Sequence, residues 1–216
     1  MSDARSDRPS VSWYEEGQHR GMSAEERERG LVEVADLLRE LQPQAWLDFG
    51  CCDGALQRIA QDVGAGYGYD IDEPALAEAR RHGLTVFSDW SGVPAVDCIV
   101  AADVVEHMAA EPLIDWLHRW HDKLSPAGTL VVKTLNPGSL AAMNSFWDDW
   151  SHVRPYGEAS ISALAAMAGF KRQRVLWLPR RTFGRAVSRY VTNKLIPALR
   201  GASDFITYVA LYAKSA

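Results

Sequence analysis

The chain has 216 residues, of which 47% are hydrophobic and 24% are charged. This length suits one α/β domain with a full hydrophobic core and is short for two such domains. Its three cysteines exclude a disulfide framework and a finger-type metal site, since two are adjacent and the third stands alone. With no signal-peptide pattern, no apolar run near the ~20 residues of a membrane span and cysteines that suit a reducing compartment, we expect a cytoplasmic protein. The formal net charge is −5.

The predicted elements follow one another in the order of a layered α/β fold. Residues 1–12 are polar, and residues 1–22 are predicted to be a flexible N-terminal segment or, through Trp13-Tyr14-Glu15-Glu16, a lid. A single domain is predicted over residues 23–216. A helix is predicted from Ser23 to Leu41, because Ser23 and Glu26 have the spacing of a capping box and apolar residues recur at helical spacing. Further helices are predicted at 55–61, 73–82, 110–124 and 161–168, and strands at 45–49, 66–70, 85–88, 98–102, 128–135, 174–178 and 205–213.

The alternation of short apolar strands with amphipathic helices predicts a parallel sheet that is covered on both faces. The last two strands follow each other without that alternation, so they can pair antiparallel, either at an edge or inside the sheet. The predicted fold class is therefore a doubly wound α/β fold, with a mainly parallel seven-stranded sheet and a C-terminal antiparallel strand.

The turn after the first predicted strand reads DFGCCDG over residues 48–54. Ligands of open α/β sheets bind beyond the carboxyl ends of the strands, usually beside the first strand. Gly50 and Gly54 permit a tight turn and a close approach of the backbone. Asp48 can accept hydrogen bonds from a ligand ammonium group. This turn is the candidate cofactor site.

Two further strand ends carry residues that suit a nucleoside. Asp70 follows the second strand about 20 residues downstream, where an acidic residue binds ribose hydroxyls. Asp89 follows the third strand and can accept from an adenine amino group, with Trp90 as a stacking surface. A dinucleotide is disfavoured, because the GxGxxG fingerprint is absent and Asp53 stands where a pyrophosphate needs positive potential.

Over roughly residues 45–178, the chain resembles the class I S-adenosylmethionine-dependent methyltransferases. The resemblance rests on the glycine-rich turn, on Asp70, and on the DVVEH segment at 103–107, which is similar to the DxLEH group of small-molecule methyltransferases. It implies a Rossmann-like methyltransferase fold with S-adenosyl-L-methionine as cofactor. The cofactor-binding residues that we predict are Asp48, Gly50, Cys52, Gly54, Asp70, Ile71, Asp89, Trp90 and Asp103.

The chain departs from that family at Cys52, where the family usually has glycine. A Cβ and a sulfur at this turn position can crowd the cofactor, and a positive φ there is unfavourable for any residue but glycine. The departure leaves open a catalytically silent protein that only binds the cofactor or regulates a partner.

The segment after the fifth strand supplies the candidate acceptor residues. Residues 149–156 are similar to the D-x-(T/S)-H-V-R-P-(Y/F) segment of a subset of these methyltransferases, some of which act on sugars or other hydroxylated acceptors. His152 is a candidate general base that Asp149 can orient, and Arg154 can bind an anionic substituent. The alternative is that these three residues form a structural network. The predicted catalytic residues are His152, Asp149 and His107, and the predicted acceptor-binding residues are Arg154, Trp150, Tyr156 and Trp147.

Other charged residues near the predicted site allow weaker interpretations. Aromatic residues of the fifth-strand loop suit a flat or sugar-like acceptor, or belong to the core. Glu106 is interpreted as an acid that complements the dipole of the following helix. A metal site is not predicted, because the acids and His152 have no specific ligand spacing.

A basic segment lies toward the end of the chain. Nine of the 23 basic residues and none of the 28 acidic ones lie between Lys171 and Arg200. Arginines at helical spacing predict an amphipathic insert at about 180–203, which can act as a lid, a phosphate clamp or a contact with a membrane surface, or simply pack on the body.

The leading hypothesis is O-methylation of a small hydroxylated acceptor that is sugar-like, anionic or lipid-linked. RNA methylation is a rival that only the basic insert favours, and the acidic remainder of the chain argues against nucleic acid as a partner. The sequence indicates neither the acceptor nor the oligomeric state.

Overall fold

The computed structural model describes residues 24–179 and 205–215. Contacts along the chain group it into two compact units, Met1–Pro94 and Ala95–Ala216. Among the residues described, no helix is long and apolar enough to cross a membrane.

The first unit contains a three-stranded parallel sheet in the order β3-β2-β1. Helix α3 begins after Asp72, whose carboxylate caps the helix by accepting from the backbone N–H of Ala75 at 3.4 Å. The register places Phe49 beside Tyr69, so the two strands end side by side. The elements are α1 Ala24–Leu41, β1 Ala45–Phe49, α2 Ala55–Ile59, β2 Ala65–Tyr69, α3 Glu73–Arg81 and β3 Thr85–Phe87.

The second unit contains four strands in the order β4-β5-β7-β6. Strands β4 and β5 are parallel, and β7 lies between β5 and β6, antiparallel to both. The predicted antiparallel strand is thus confirmed, inside the sheet of this unit. The elements are β4 Val96–Ala102, α4 Ala110–Lys123, β5 Leu124–Leu135, α5 Leu140–Asp148, α6 Glu158–Met167, β6 Phe170–Pro179 and β7 Phe205–Lys214.

The predicted strands and helices that fall on the described residues are present, and one helix was not predicted. Helix α5 lies in the segment that the sequence suggests is a loop, and Ser139 caps it by accepting from the N–H of Ala142 at 3.4 Å. Strands β5 and β6 each begin four residues earlier than predicted, at Leu124 and Phe170. These extensions are held by pairing with neighbouring strands, which local sequence does not report.

Each unit buries its own apolar residues. In the first unit, Leu47 of β1 and Leu76 of α3 are fully buried, and the Trp46 indole donates to the carbonyl of Val63 at 2.9 Å. In the second, Ile99 of β4 is fully buried in the same way. Such packed interiors hold the strand ends, and the side chains that follow them, in fixed positions.

Candidate active site

The glycine-rich turn between β1 and α2 alternates left-handed and ordinary backbone. Gly50, Cys52 and Gly54 have φ angles of 79°, 50° and 76°. The N–H of Gly50 donates to the carbonyl of Tyr69 at 2.8 Å, which ties the turn to the end of β2. A Cβ on Gly54 would lie 2.2 Å from the end of the Leu84 side chain, which would have to move, and the φ of Gly54 disfavours any other residue there. The predicted requirement for positive φ at position 52 is confirmed, and a cysteine meets it.

Asp70 organises this turn through backbone hydrogen bonds. Its Oδ2 accepts from the N–H of Cys52 at 2.8 Å, and its Oδ1 accepts from Ile71 at 2.7 Å and from Asp72 at 3.0 Å. Burial raises the pKa of Asp70, and these three donors oppose that rise. A carboxylate offers about four acceptor positions, so about one remains for a ligand hydroxyl. The neighbouring Ile71 side chain is exposed.

Asp48 forms the acidic centre of the same unit. Its side chain is buried, and burial raises its pKa from 3.8 to about 8, with further contributions from the negative charges of Asp70 and Asp53. Acids that destabilise one another's charge favour a positively charged ligand group and disfavour a phosphate. The chemistry of this set therefore fits a cofactor that carries an ammonium or sulfonium group.

Asp89 and Trp90 lie after β3, as predicted. The Asp89 carboxylate accepts from the backbone N–H of Ser91 at 3.0 Å and from its hydroxyl at 2.5 Å, and these bonds lower the pKa of Asp89. The Trp90 ring packs edge-on against Phe49 and Tyr69, with centroids 6.0 and 5.4 Å apart. An exposed ionised acceptor and an aromatic ring thus stand side by side at this strand end.

In the second unit, the loop after β4 is anchored to β5. Asp103 has a φ of 56° and its carboxylate pairs with the ammonium group of Lys133. Glu106 is 1% exposed and accepts a 2.9 Å hydrogen bond from the hydroxyl of Thr134. Burial, reinforced by Asp103, raises the pKa of Glu106 to about 8. The helix-dipole interpretation of Glu106 is wrong, because its short 3-10 turn directs the side chain inward onto β5.

The backbone of the same loop holds the segment that follows α5. The carbonyl oxygen of Glu106 accepts from the N–H groups of Val153 and Arg154 at 2.8 and 3.1 Å. Because β4 and β5 are parallel, the segments that follow them leave the same edge of their sheet. The two loops with the predicted catalytic residues are therefore joined by main-chain hydrogen bonds.

These bonds bring Asp149, Ser151 and His107 together. Asp149 Oδ1 accepts from the hydroxyl of Ser151 at 2.5 Å and from its backbone N–H at 2.9 Å. Oγ of Ser151 lies 2.9 Å from Nδ1 of His107. Burial and the neighbouring His152 lower the pKa of His107. Ser151 was not predicted as a site residue, although the Asp-x-Ser spacing is the signature of a turn in which a side chain caps a backbone N–H.

His152 has a different environment. Its Nδ1 lies 3.0 Å from the carbonyl oxygen of Phe146, and its ring stacks on that phenyl group at 4.9 Å. Its Nε2 is 3.8 Å from Oδ2 of Asp149, and its ring centroid is 4.6 Å from that of His107. The predicted Asp149–His152 pair is close but is not a short hydrogen bond, since the short bonds of Asp149 go to Ser151.

The predicted acceptor residues divide into exposed and buried side chains. Trp147 and Trp150 are 76% and 73% exposed. Tyr156 is fully buried, and its hydroxyl donates to the carbonyl of Met108 at 3.1 Å. The guanidinium of Arg154 lies 5.3 Å from the Tyr156 ring centroid. Tyr156 thus belongs to the core, the alternative that the sequence left open for these aromatic residues, while the two tryptophans are accessible.

Some expectations fall outside the described residues, namely the N-terminal segment or lid at 1–22 and the basic insert at about 180–203. Within residues 24–179 and 205–215, no group of three His, Cys, Asp or Glu side chains is arranged to hold a metal ion.

Comparison with known proteins gives a family for this arrangement. A family model described as a methyltransferase domain matches residues 23–175. Solved structures with a similar fold include a SAM-dependent methyltransferase from Archaeoglobus fulgidus, with 21% identity, a TM-score of 0.70, and coverage of 88% of this chain and 97% of that one.

Two other solved structures with a similar fold are named for different reactions. Magnesium protoporphyrin IX methyltransferase from Synechocystis PCC 6803, solved with bound SAH, has 17% identity and a TM-score of 0.62, with coverage of 88% of this chain and 84% of that one. A cyclopropane synthase from Mycobacterium tuberculosis has 18% identity and a TM-score of 0.64, with coverage of 91% and 87%. These likenesses confirm the predicted Rossmann-like fold class, and they do not indicate an acceptor.

Proposed function

Since the chain belongs to the methyltransferase-domain family, we propose that it transfers the methyl group of S-adenosylmethionine to a hydroxyl group of a small acceptor. The observation that carries the choice of a hydroxyl is the histidine pair, His107 and His152, whose ring centroids are 4.6 Å apart. A hydroxyl is a weak nucleophile that needs a base, whereas an unprotonated amine does not.

The residues of the first unit support the cofactor assignment. When bound, S-adenosylmethionine supplies an electrophilic methyl group on a positively charged sulfur. Asp48 would hold the amino group of its methionine part, and the remaining acceptor position of Asp70 would bind a ribose hydroxyl. Asp89 and Trp90 would take the adenine, as an acceptor and a packing surface.

The residues of the second unit support the proton transfer. The lowered pKa of His107 favours its neutral form near neutral pH, so it has a lone pair that can accept a proton. Asp149 is ionised because its hydrogen bonds to Ser151 and the nearby histidines lower its pKa against the effect of burial. A carboxylate beside the pair stabilises the imidazolium that forms when the base is protonated.

The acceptor surface would be formed by the exposed rings of Trp147 and Trp150, with the exposed Arg154 as the partner of an anionic substituent. Flat aromatic faces suit the apolar face of a sugar ring, so sugar-like and sugar-phosphate acceptors head the candidates.

The test is methyl transfer from isotopically labelled S-adenosylmethionine to methyl glucoside, glucose 6-phosphate and catechol. Each is paired with an analogue in which one hydroxyl is replaced by an amine: methyl 6-amino-6-deoxyglucoside, glucosamine 6-phosphate and 2-aminophenol. Labelled ethers from the hydroxyl members would support the proposal. Labelling of the amines alone would contradict O-methylation.

A silent cofactor-binding protein remains the second candidate, because Cys52 holds a left-handed backbone where glycine is ordinary. Calorimetry with S-adenosylmethionine and then with S-adenosylhomocysteine distinguishes the two. Binding of either without transfer to any acceptor would favour the silent protein, and binding of neither at millimolar concentration would exclude both.

A further inference from the structure

We infer that His107 accepts the acceptor's proton at Nε2, and that Ser151 is a positioning residue that connects His107 to Asp149. This inference rests on the proposed O-methylation and adds to it the identity of the base, its tautomer and the residue that sets the tautomer.

The tautomer follows from counting protons along the hydrogen-bonded chain. The Ser151 hydroxyl has one proton, and Asp149, as an ionised carboxylate, can only accept. The hydroxyl therefore donates to Asp149 at 2.5 Å and has only lone pairs for His107. Nδ1 of His107, 2.9 Å away, must then carry the proton of the neutral ring. The lone pair of the ring is consequently at Nε2.

The position of the Ser151 backbone supports the same assignment. Its carbonyl oxygen lies 3.3 Å from Nδ1 of His107. A carbonyl oxygen only accepts, so both groups of Ser151 that face Nδ1 require a proton on that nitrogen. In addition, Asp149 Oδ1 accepts from the N–H of Ser151 at 2.9 Å, which fixes the serine backbone in place.

His152 is the weaker candidate for the base. Its Nδ1 faces the Phe146 carbonyl at 3.0 Å and its Nε2 lies 3.8 Å from a carboxylate oxygen of Asp149, so both ring nitrogens face acceptors within the protein. Its side chain is 10% exposed and stacks on Phe146. A ring nitrogen that faces a carboxylate favours holding a proton, so it is poorly placed to accept one from an external hydroxyl.

The proposed step balances without a further reactant. As the acceptor oxygen bonds to the methyl carbon, the carbon–sulfur bond breaks with its electron pair going to sulfur. The hydroxyl proton passes to Nε2 of His107. The resulting imidazolium keeps its Nδ1–H bond to Ser151, so no hydrogen bond in the chain has to reverse. The positive charge is then stabilised by Asp149 through the serine.

The charged and titratable groups around His107 act in opposite directions on its pKa. Burial and His152 lower it, while Asp149, the Ser151 carbonyl and Asp103 raise it, and the net effect is a lowered pKa. Removing the serine hydroxyl breaks the link to Asp149, so the pKa of the base should fall further. The acid limb of the rate profile should then move to lower pH.

The first experiment reads the tautomer directly and needs no acceptor. The full chain is labelled with ¹⁵N in its six histidine rings, and the His107 signals are assigned with His107→Gln. We expect His107 to be neutral with the proton on Nδ1 near neutral pH, in the wild type and in Ser151→Thr. In Ser151→Ala, the Nδ1 proton loses the hydroxyl oxygen as acceptor and keeps only the backbone carbonyl of residue 151 at 3.3 Å, so the Nε2–H form should increase. A wild-type His107 with its proton on Nε2 would overturn the inference.

The second experiment uses the first acceptor that is turned over. Ser151→Ala should lower kcat about tenfold, a fraction of the ~100-fold or more that a general base supplies, and should move the acid limb to lower pH. Ser151→Thr should restore both. Ser145→Ala is the matched control, because Ser145 lies in the same segment, is exposed, and bonds only to its own helix at Ala141.

The outcomes separate this inference from the proposed function. If Ser151→Ala unfolds, the tautomer of the wild type and of Ser151→Thr still decides the question. An unchanged kcat and pH profile in folded Ser151→Ala, with hydroxyl methylation intact, would overturn the relay and leave the proposed function standing. Absence of hydroxyl methylation by the wild type would instead contradict the proposed function, whatever tautomer His107 has.

Discussion

The backbone N–H of Cys52 donates a 2.8 Å hydrogen bond to Oδ2 of Asp70, which lies 18 residues later in the chain. This bond holds the cysteine in a left-handed conformation, with a φ of 50°. The same carboxylate that would bind a ribose hydroxyl thus also maintains the turn that would face the cofactor. Changes at either residue should affect both turn stability and cofactor binding.

Cys52→Gly is expected to stabilise the first unit by about 1 kcal/mol, because a left-handed conformation costs a non-glycine residue about that much. Cys52→Val should destabilise it, since a β-branched residue tolerates positive φ poorly. Urea unfolding measures both changes. Gly83→Ala is the matched control. Gly83 has a φ of 76°, and a Cβ added to it would meet no atom within 4 Å. This substitution therefore measures only the free-energy cost of a left-handed backbone at a non-glycine residue. Equal stability of Cys52→Gly and the wild type would show that Asp70 fully compensates the strain.

Cofactor binding is expected to release protons near neutral pH. Asp48 has a pKa of about 8 in the folded chain, because it is buried near other acids, and the amino group of the cofactor should favour its ionised form. Calorimetry of S-adenosylmethionine binding in phosphate and in Tris measures the proton release, since these buffers differ in ionisation enthalpy.

Asp48→Asn should abolish that release and weaken binding about tenfold or more, the typical value of a hydrogen bond to a charged group. Asp89→Asn is the control, because the pKa of Asp89 is already lowered by Ser91 and its loss should leave the proton release unchanged. A release that persists in Asp48→Asn would assign the proton to another group.

The free energy of unfolding should decrease as the pH rises from about 5 to about 8. Glu106 has a pKa of about 8 when folded and 4.5 as its ordinary value, so in this interval the folded chain keeps a proton that the unfolded chain has released. Glu106→Gln keeps an acceptor for Thr134 and cannot ionise, so its stability should depend less on pH. Asp48 contributes with the same sign, and Asp48→Asn with Glu106→Gln should give the flattest curve. Denaturant unfolding at several pH values in this range measures the dependence. If Glu106→Gln left the slope of the free energy of unfolding against pH unchanged, burial would not raise the pKa of Glu106 as argued.

His107→Gln should reduce kcat more than His152→Gln does. Loss of the base is expected to cost about 100-fold, while loss of the neighbouring ring, which packs on Phe146, should cost about tenfold through misplacement. Steady-state rates from about pH 6 to about pH 9 compare the two variants. The reverse order would identify His152 as the base.

Trp147→Ala and Trp150→Ala should raise the KM of the acceptor with little loss of stability. Both side chains are more than two-thirds exposed, and substitutions at exposed positions usually change the free energy of unfolding by about 0.5 kcal/mol or less. Met167→Ala, at a residue that is 64% exposed on α6, is the control for removing an exposed apolar side chain. Unchanged acceptor KM values in both tryptophan variants would place the acceptor elsewhere.

The sequence by itself determined the fold class and predicted the residues of a cofactor site in the first unit. Strand and helix periodicity is a local signal, and Gly50, Gly54 and Asp70 follow strand ends, where the rules of open α/β sheets already predict a ligand. The positive φ at Cys52 was also predictable, since glycine is the usual residue at that turn position.

Only the tertiary structure decided the rest. Ser151 and His107 are 44 residues apart and meet at 2.9 Å because the loops after β4 and β5 share main-chain hydrogen bonds. The burial of Glu106 and Tyr156, the position of β7 between β5 and β6, and the exposure of Trp147 and Trp150 likewise depend on which distant elements pack together. Local residue patterns do not contain that pairing, because it is set by contacts between segments far apart in the chain.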